Sequence, residues 1–311
     1  MPRWLLKAAA QKALSFLPAT HACNYLLQKH VTGSLALDTA RLKLKIDYAR
    51  RHLDIWTSVN RSSLDDISIC ELGTGWFPVL PIVFYLCGAA KIWTLDKAPL
   101  LRRANIVKTI QLLAALTQDP TFIEQLPCMR RDRVQQLLAI SQRAKHMSAS
   151  DLLAHFYIQA LVQDARRTDI QRGSIQFVLS NSVLQEIPKH ILFDIFREFR
   201  RIASTDSTMI HYINMVEPFV GYDPTLTVYH FLQFSDAKWK CVNNSLHFHN
   251  RLRMPDYRNV HNSSRFRILL EDNEKGPDRE LDAIPLAATF KRYAREDLQI
   301  LRTWIVSRPC E

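Results

Sequence analysis

The sequence predicts an α/β fold, a seven-stranded and mostly parallel sheet with helices on both faces. Three observations predict it. A β-branched apolar run at residues 67–72 stops at the bend Gly73-Thr74-Gly75. An apolar helix and a second short strand follow within about thirty residues, the length of a βαβ unit. Further short apolar runs then recur down the chain, several of them ending at a polar residue.

Residues 1–62 mix leucine, isoleucine and tryptophan with basic residues at helical spacing, and predict an N-terminal helical cap. The rest, 63–311, is expected to be one large α/β domain. Its first strand is 67–72. Pro78 and Pro81 stand where a helix begins, since proline suits a first helical turn. Residues 79–87 continue that helix, Gly88 closes it, and 91–95 form a second strand ending at Asp96. Residues 100–155, rich in Leu, Gln and Arg and broken by Pro120 and Pro127, are long for a crossover and predict a helical insertion. Strands follow at 156–162, 175–179 and 208–213, with a helix at 189–203. Residues 216–263 are irregular, aromatic and His-rich, and predict a cover on the acceptor side. A sixth strand at 266–270, a helix at 286–301 and a seventh strand at 303–306 complete the chain.

The chain has 311 residues, of which 47% are apolar, enough for a substantial core. Its formal net charge of +11 suits anionic partners, or serves solubility alone. The cysteines at 23, 70, 87, 128, 241 and 310 include no C-x-x-C pair, so reduced thiols in a cytoplasmic protein are the simplest account. Lys7, Gln11 and Lys12 interrupt the N-terminal apolar run, which argues against a signal peptide. Trp4, Leu5, Ala8, Leu14 and Leu17 make one face of an amphipathic helix. Docking on the protein's own core is preferred for that face over peripheral contact with a membrane.

Glycine is scarce in this chain, yet two of the seven flank Thr74 directly after the first strand. Glycine there lets the backbone turn sharply and approach a ligand closely. Glu71 precedes the bend, Asp96 ends the second strand and Asp164 ends the third. In an open parallel sheet ligands lie across the carboxyl ends of the strands, so these groups are expected in one crevice. The chemistry fits a nucleoside with an amino acid arm. A carboxylate at Asp96 can accept two ribose hydroxyls, and one at Asp164 can face an adenine amine. A sulfonium cation favours acidic surroundings. A nicotinamide fingerprint would need glycine at 78, where this chain has Pro78.

Taken together, ICELGTGW, IWTLDKAPLL, LVQDARRTD and FVLSNSVLQEIP resemble the motif series of class I S-adenosylmethionine-dependent methyltransferases, over residues 67–215 and on to the last strand pair. The resemblance implies a Rossmann-like fold, an enzyme, and S-adenosyl-L-methionine as cofactor. It implies that Glu71, Gly73, Thr74 and Gly75 cradle the methionine and sugar, and that Asp96 binds the ribose. Asp164 and Ala165 would flank the adenine, and Ser180 and Asn181 would lie near the methionine amine and the methyl group. The sequence departs from the pattern at Phe77, Gln185-Glu186, Asn214 and Glu217-Pro218.

Methyl transfer is an in-line displacement, so a hydroxyl acceptor needs a general base while an amine need only arrive unprotonated. His211 and Glu186 are the candidates, with Glu217 and Asp223 nearby in sequence. His211 could equally be a packed core histidine, and Glu186 a helix-start residue. Asn214, Asn250 and Arg251 are candidate substrate contacts, since an arginine there could clamp a phosphate or carboxylate. His230, His247, His249 and His261 lack zinc-ligand spacing, so no metal is expected. The expected acceptor is an O or N atom of a small or carrier-linked molecule, anionic given the charge. Nucleic acid ranks lower, because the strand-four motif reads SNSV. The alternative is a cofactor-binding scaffold without turnover.

Overall fold

A computed structural model of the chain describes residues 2–15, 37–246 and 248–310. Leu17, Cys23 and His247, singled out above, lie outside the described residues. Seven strands form one sheet in the order β3-β2-β1-β4-β5-β7-β6. They are β1 (Ser68–Leu72), β2 (Lys91–Asp96), β3 (Ile158–Val162), β4 (Ile175–Asn181), β5 (Ala203–Asn214), β6 (Phe266–Lys275) and β7 (Ile300–Pro309). β3, β2, β1 and β4 are parallel neighbours in continuous register. The predicted doubly covered, mostly parallel sheet is the one found.

By chain contacts the protein divides into two units. One comprises residues 37–181, 197–210 and 307–311, and the other 1–36, 182–196 and 211–306.

The first unit holds β1–β4 and the helices between them. Helix α2 (Thr39–Asn60) begins where the Asp38 carboxylate accepts the Arg41 N–H at 2.8 Å, a side-chain N-cap. Leu42, Ile46, Ala49, Leu53 and Trp56 recur three or four apart and are buried, so the helix lays one apolar stripe inward. Helix α3 (Val79–Leu86) is buried all round, as its unbroken apolar sequence requires. The insertion is four helices: α4 (Arg103–Leu116), α5 (Pro120–Gln125), α6 (Arg131–Arg143) and α7 (Ala149–His155). Pro120 opens α5 rather than merely interrupting a helix, because the Asp119 carboxylate caps that end by accepting the Thr121 N–H at 2.9 Å.

The second unit contains α1 (Arg3–Leu14), whose Trp4 and Ala8 are buried. The Trp4 ring lies 5.8 Å from Phe219 and 5.7 Å from Phe234, and the Trp4 backbone N–H donates to the Asp223 carboxylate at 3.3 Å. The apolar face of α1 thus docks on the unit's own aromatic cluster, as the sequence reading preferred. No described helix is long and apolar enough to cross a membrane. Helix α8 (Lys189–Ile202) is divided between the two units.

Three local expectations need correction. Residues 216–263 contain helices α9 (Asp236–Val242) and α10 (Met254–Ser263) rather than an irregular run. Their caps explain them: Ser235 Oγ accepts the Lys238 N–H, and the Asp256 carboxylate accepts the Arg253 N–H. A helix over 286–301 does not form. Beyond α11 (Asp278–Asp282), the Ala287 N–H bonds to the Leu232 carbonyl, and only a short turn and α12 (Arg295–Gln299) remain before β7. Tertiary hydrogen bonding there overrides local periodicity. Strand β5 begins five residues earlier than expected, at Ala203 instead of 208.

Candidate functional site

The register of the first unit aligns four strand ends. Leu161, Leu95, Leu72 and Ser180 are paired in one row across β3, β2, β1 and β4. The residues that follow that row are Val162, Asp96, Gly73 and Asn181. Gly73 donates its N–H to the Leu95 carbonyl at 2.8 Å, then the chain leaves the sheet. Gly73 and Gly75 have φ of 77° and 74°, in the left-handed region that favours glycine. A Cβ placed on Gly75 would meet nothing within 4 Å, so the bend faces open space rather than packed protein.

Two carboxylates hold the bend. Glu71, 3% exposed, accepts the Thr74 hydroxyl at 2.6 Å. Asp96 accepts the Gly75 N–H at 3.1 Å. Burial pushes the Glu71 carboxyl up to about 7, against the lowering effects of Thr74 and Lys45. Burial likewise pushes Asp96 up to about 6, although the Gly75 and Thr74 backbone donors and Lys45 oppose it. Both acids are desolvated, and both gain from any cation brought beside them.

Asp164 differs. It stands two residues past β3, and the preceding N–H, of Gln163, bonds to the Asp96 carbonyl at 3.1 Å. Its side chain is 53% exposed and paired with the Arg166 guanidinium, which holds its carboxyl below the ordinary value. Ala165, beside it, is half-buried. Ser180 is buried, and the Asn181 Oδ1 is buried without a hydrogen-bond partner among the described residues. Such an orphaned acceptor at a strand end, with an open glycine bend and two desolvated carboxylates, suits a polar and partly cationic ligand.

Sequence reasoning missed Lys45. It lies on α2, next to the buried Ile46, and the fields of both Glu71 and Asp96 act on its ammonium. No glycine or acidic motif marks it. Burial lowers the proton affinity of its ammonium, while Glu71 and Asp96 raise it.

The residues assigned to the acceptor belong to the second unit. His211 on β5 is fully buried, its ring 5.5 Å from Phe196 and 6.1 Å from His261. That placement favours the packing role for His211. Glu186 is exposed, in a short helical turn after β4. Asn214 Oδ1 accepts the Val216 N–H, and the Asn214 N–H reaches Gln185 Oε1. Asn250 donates to the Leu184 and Ile187 carbonyls, each at 2.8 Å, and accepts from Leu252 and Tyr257. The Arg251 guanidinium donates to the Phe231 and Phe234 carbonyls and pairs with Asp236 at 2.6 Å, with its side chain 3% exposed. Glu217 and Asp223 are buried turn formers, accepting the Phe219 and Thr225 N–H groups. A groove of about 500 Å³ in this unit is lined by Lys12, Lys189, Trp239, Lys240 and Phe248, among others.

No protein-family model matches the chain, and no curated protein matches it. Solved structures do. PH0226 protein from Pyrococcus horikoshii OT3 is similar at 10% identity with a TM-score of 0.50, over 91% of this chain and 98% of that one. Geranyl diphosphate C-methyltransferase from Streptomyces coelicolor A3(2) is similar at 11% identity and 0.46, over 88% and 85%. Magnesium protoporphyrin IX methyltransferase from Synechocystis PCC 6803 is similar at 11% and 0.46, over 94% and 95%. The likeness is one of fold, a seven-stranded, mostly parallel α/β sheet surrounded by helices.

Proposed function

We propose that the protein is an S-adenosyl-L-methionine-dependent methyltransferase whose cofactor site is the crevice at the ends of β1, β2 and β4. One observation carries this reading. The Gly73-Thr74-Gly75 bend opens beside Glu71 and Asp96 at the carboxyl ends of adjacent parallel strands, and Gly75 is bonded to Asp96. The structural neighbours include methyltransferases solved with S-adenosylhomocysteine, which agrees with it.

When bound, the cofactor supplies an activated methyl group on a sulfonium. The chain's own residues would do the rest. Asp96 accepts the two ribose hydroxyls, and the glycine bend leaves room for the sugar. Glu71 keeps Thr74 and the bend in place and adds negative potential. Asn181 offers its unpartnered Oδ1 to the amine of the methionine arm, beside Ser180. Asp164 and Ala165 lie next along the rim, on the adenine side. Because the leaving thioether is neutral, catalysis rests on holding the acceptor in line and excluding water.

The acceptor is an O or N atom of a small or carrier-linked molecule. The formal net charge of +11 supports an anionic one. Glu186 is the candidate base, since it is exposed whereas His211 is enclosed. Asn250 and Arg251 shape the acceptor cover through their backbone contacts rather than clamping a ligand.

Calorimetric titration with S-adenosylhomocysteine tests the cofactor assignment. Asp96→Ala should weaken binding about a hundredfold, the loss of two charge-assisted hydrogen bonds at about 1.5 kcal/mol each. Equal affinity for the variant and the parent would defeat the assignment.

A further inference from the structure

We propose that the chain forms a two-fold dimer in which β6 pairs antiparallel with β6 of a second copy, each Leu269 lying opposite its own counterpart. Strand β6 is the last in the sheet, with β7 on one side and no described strand on the other. An edge strand presents N–H and C=O groups that another strand can take up. Folded proteins commonly blunt such an edge by keeping it short or by placing proline in it. Strand β3, the opposite edge, is five residues long. Strand β6 is ten residues long and holds neither proline nor glycine.

The side chains of this edge favour a second copy. Leu269 and Leu270 are 40% and 41% exposed. Consecutive residues of a strand point to opposite faces, so both faces carry exposed apolar surface at the middle of β6. The charges around the two leucines are ordered by sign. Arg265 and Arg267 precede them, and Glu271, Asp272 and Glu274 follow. A two-fold axis normal to the sheet keeps each face on its own side, so residues set opposite one another differ by an even number. With Leu269 on the axis, Ile268 lies opposite Leu270 of the second copy. Arg267 then lies opposite Glu271, twice by symmetry, and no like charges meet. With Leu270 on the axis, Arg265 would stand opposite Lys275, and parallel pairing in register would set every charge against its like. Arg267 is exposed. Glu271 is held in place by Arg258, whose Nε and Nη2 donate to it at 2.8 and 2.7 Å. A carboxylate accepts more than two hydrogen bonds, which leaves room for the arginine of a second copy.

Sedimentation equilibrium on the full chain tests the pairing. The parent should be dimeric at about 50 μM. Leu269→Lys and Leu269→Glu each set like charges opposite one another on the axis, and each should weaken the dimer at least tenfold. Mixed in equal amounts, the two variants should form a heterodimer, because lysine then lies opposite glutamate. Arg267→Glu turns both Arg267–Glu271 pairs into like charges and should weaken the dimer as well. Positions 267 and 269 are exposed, so these variants should keep the parent's fold, read by circular dichroism. A parent that is monomeric at that concentration would overturn the dimer. A dimer indifferent to Leu269→Lys, or dissociated lysine and glutamate variants that stay apart when mixed, would overturn the pairing through Leu269.

Discussion

Arg253 and Glu71 are both charged groups withdrawn from water, and the protein treats them in opposite ways. The Arg253 guanidinium, fully buried in the second unit, donates to the carbonyls of Met215, Leu298 and Ile300. Only its Nε has no partner among the described residues, and Arg251 and Asn250 likewise bond to backbone carbonyls. At the rim of β1 and β2, by contrast, Glu71 and Asp96 each receive a small number of donors, and their carboxyls rise to about 7 and about 6. Among the described residues Asn181 Oδ1 has no hydrogen-bond partner. Polar groups that spend most of their hydrogen bonds on backbone carbonyls hold structure. Polar groups left short of partners at a sheet edge are available to a ligand.

The largest effect should come from breaking the engaged side of this contrast. Arg253→Ala removes the guanidinium's hydrogen bonds to three carbonyls and leaves a void where a long side chain lay. A loss of about 3–5 kcal/mol in stability is expected, read as a fall in the urea midpoint at unchanged slope. A variant within about 1 kcal/mol of the parent would show that Arg253 is not a structural staple. Its cofactor affinity, measured where it remains folded, should be unchanged.

The less satisfied side should reveal itself through pH. Glu71 has a folded value of about 7 against an ordinary 4.5, and Asp96 about 6 against 3.8. A raised carboxyl favours the folded state at low pH, where it is protonated. That contribution is complete below the ordinary values and is lost as pH rises through about 6 to 7. Without ligand, stability should therefore decline across this window, and Glu71→Gln should flatten the decline. A cation-bearing ligand reverses the preference, because it is drawn to the ionised acids. Affinity for S-adenosylmethionine should rise roughly tenfold from pH 5.5 to pH 8, with net proton release on binding. Proton uptake, or an affinity flat with pH, would place the ligand's positive charge away from Glu71 and Asp96.

The sequence made one half of this contrast readable and hid the other. ELGTGW and the run ending at Asp96 announce the crevice because the bend needs glycine and the strand ends need acids, and both constraints are local. The parallel pairing of β1 with β2 followed from the same βαβ logic. Arg251 looked like a ligand clamp because a sequence shows a charge without showing which carbonyls will claim it. Lys45 looked like one of several basic residues on an amphipathic helix, and nothing in the sequence marks the influence of Glu71 and Asp96 on its ammonium. Helices α9 and α10 were signalled by Ser235 and by the Arg253-to-Asp256 spacing, cues outweighed by the surrounding aromatic and histidine residues. The predicted 286–301 helix failed for a reason no periodicity records, namely the hydrogen bond from Ala287 to Leu232.

The bend itself sharpens the comparison with the smallest effect on stability and a clear effect on binding. Gly75 has φ of 74°, and a Cβ there would touch nothing within 4 Å. Gly75→Ala therefore has no steric conflict inside the protein, and its cost is the left-handed backbone alone, about 1 kcal/mol. If the space beside Gly75 is where the adenosyl sugar lies, the added methyl group stands in the ligand's way. Cofactor affinity should then fall by more than the small stability loss accounts for, about tenfold or greater. Were the glycine present only to let the chain turn, the same variant would lose its 1 kcal/mol of stability and bind as tightly as before. The two measurements on one protein thus separate a bend made for folding from a bend made for a ligand.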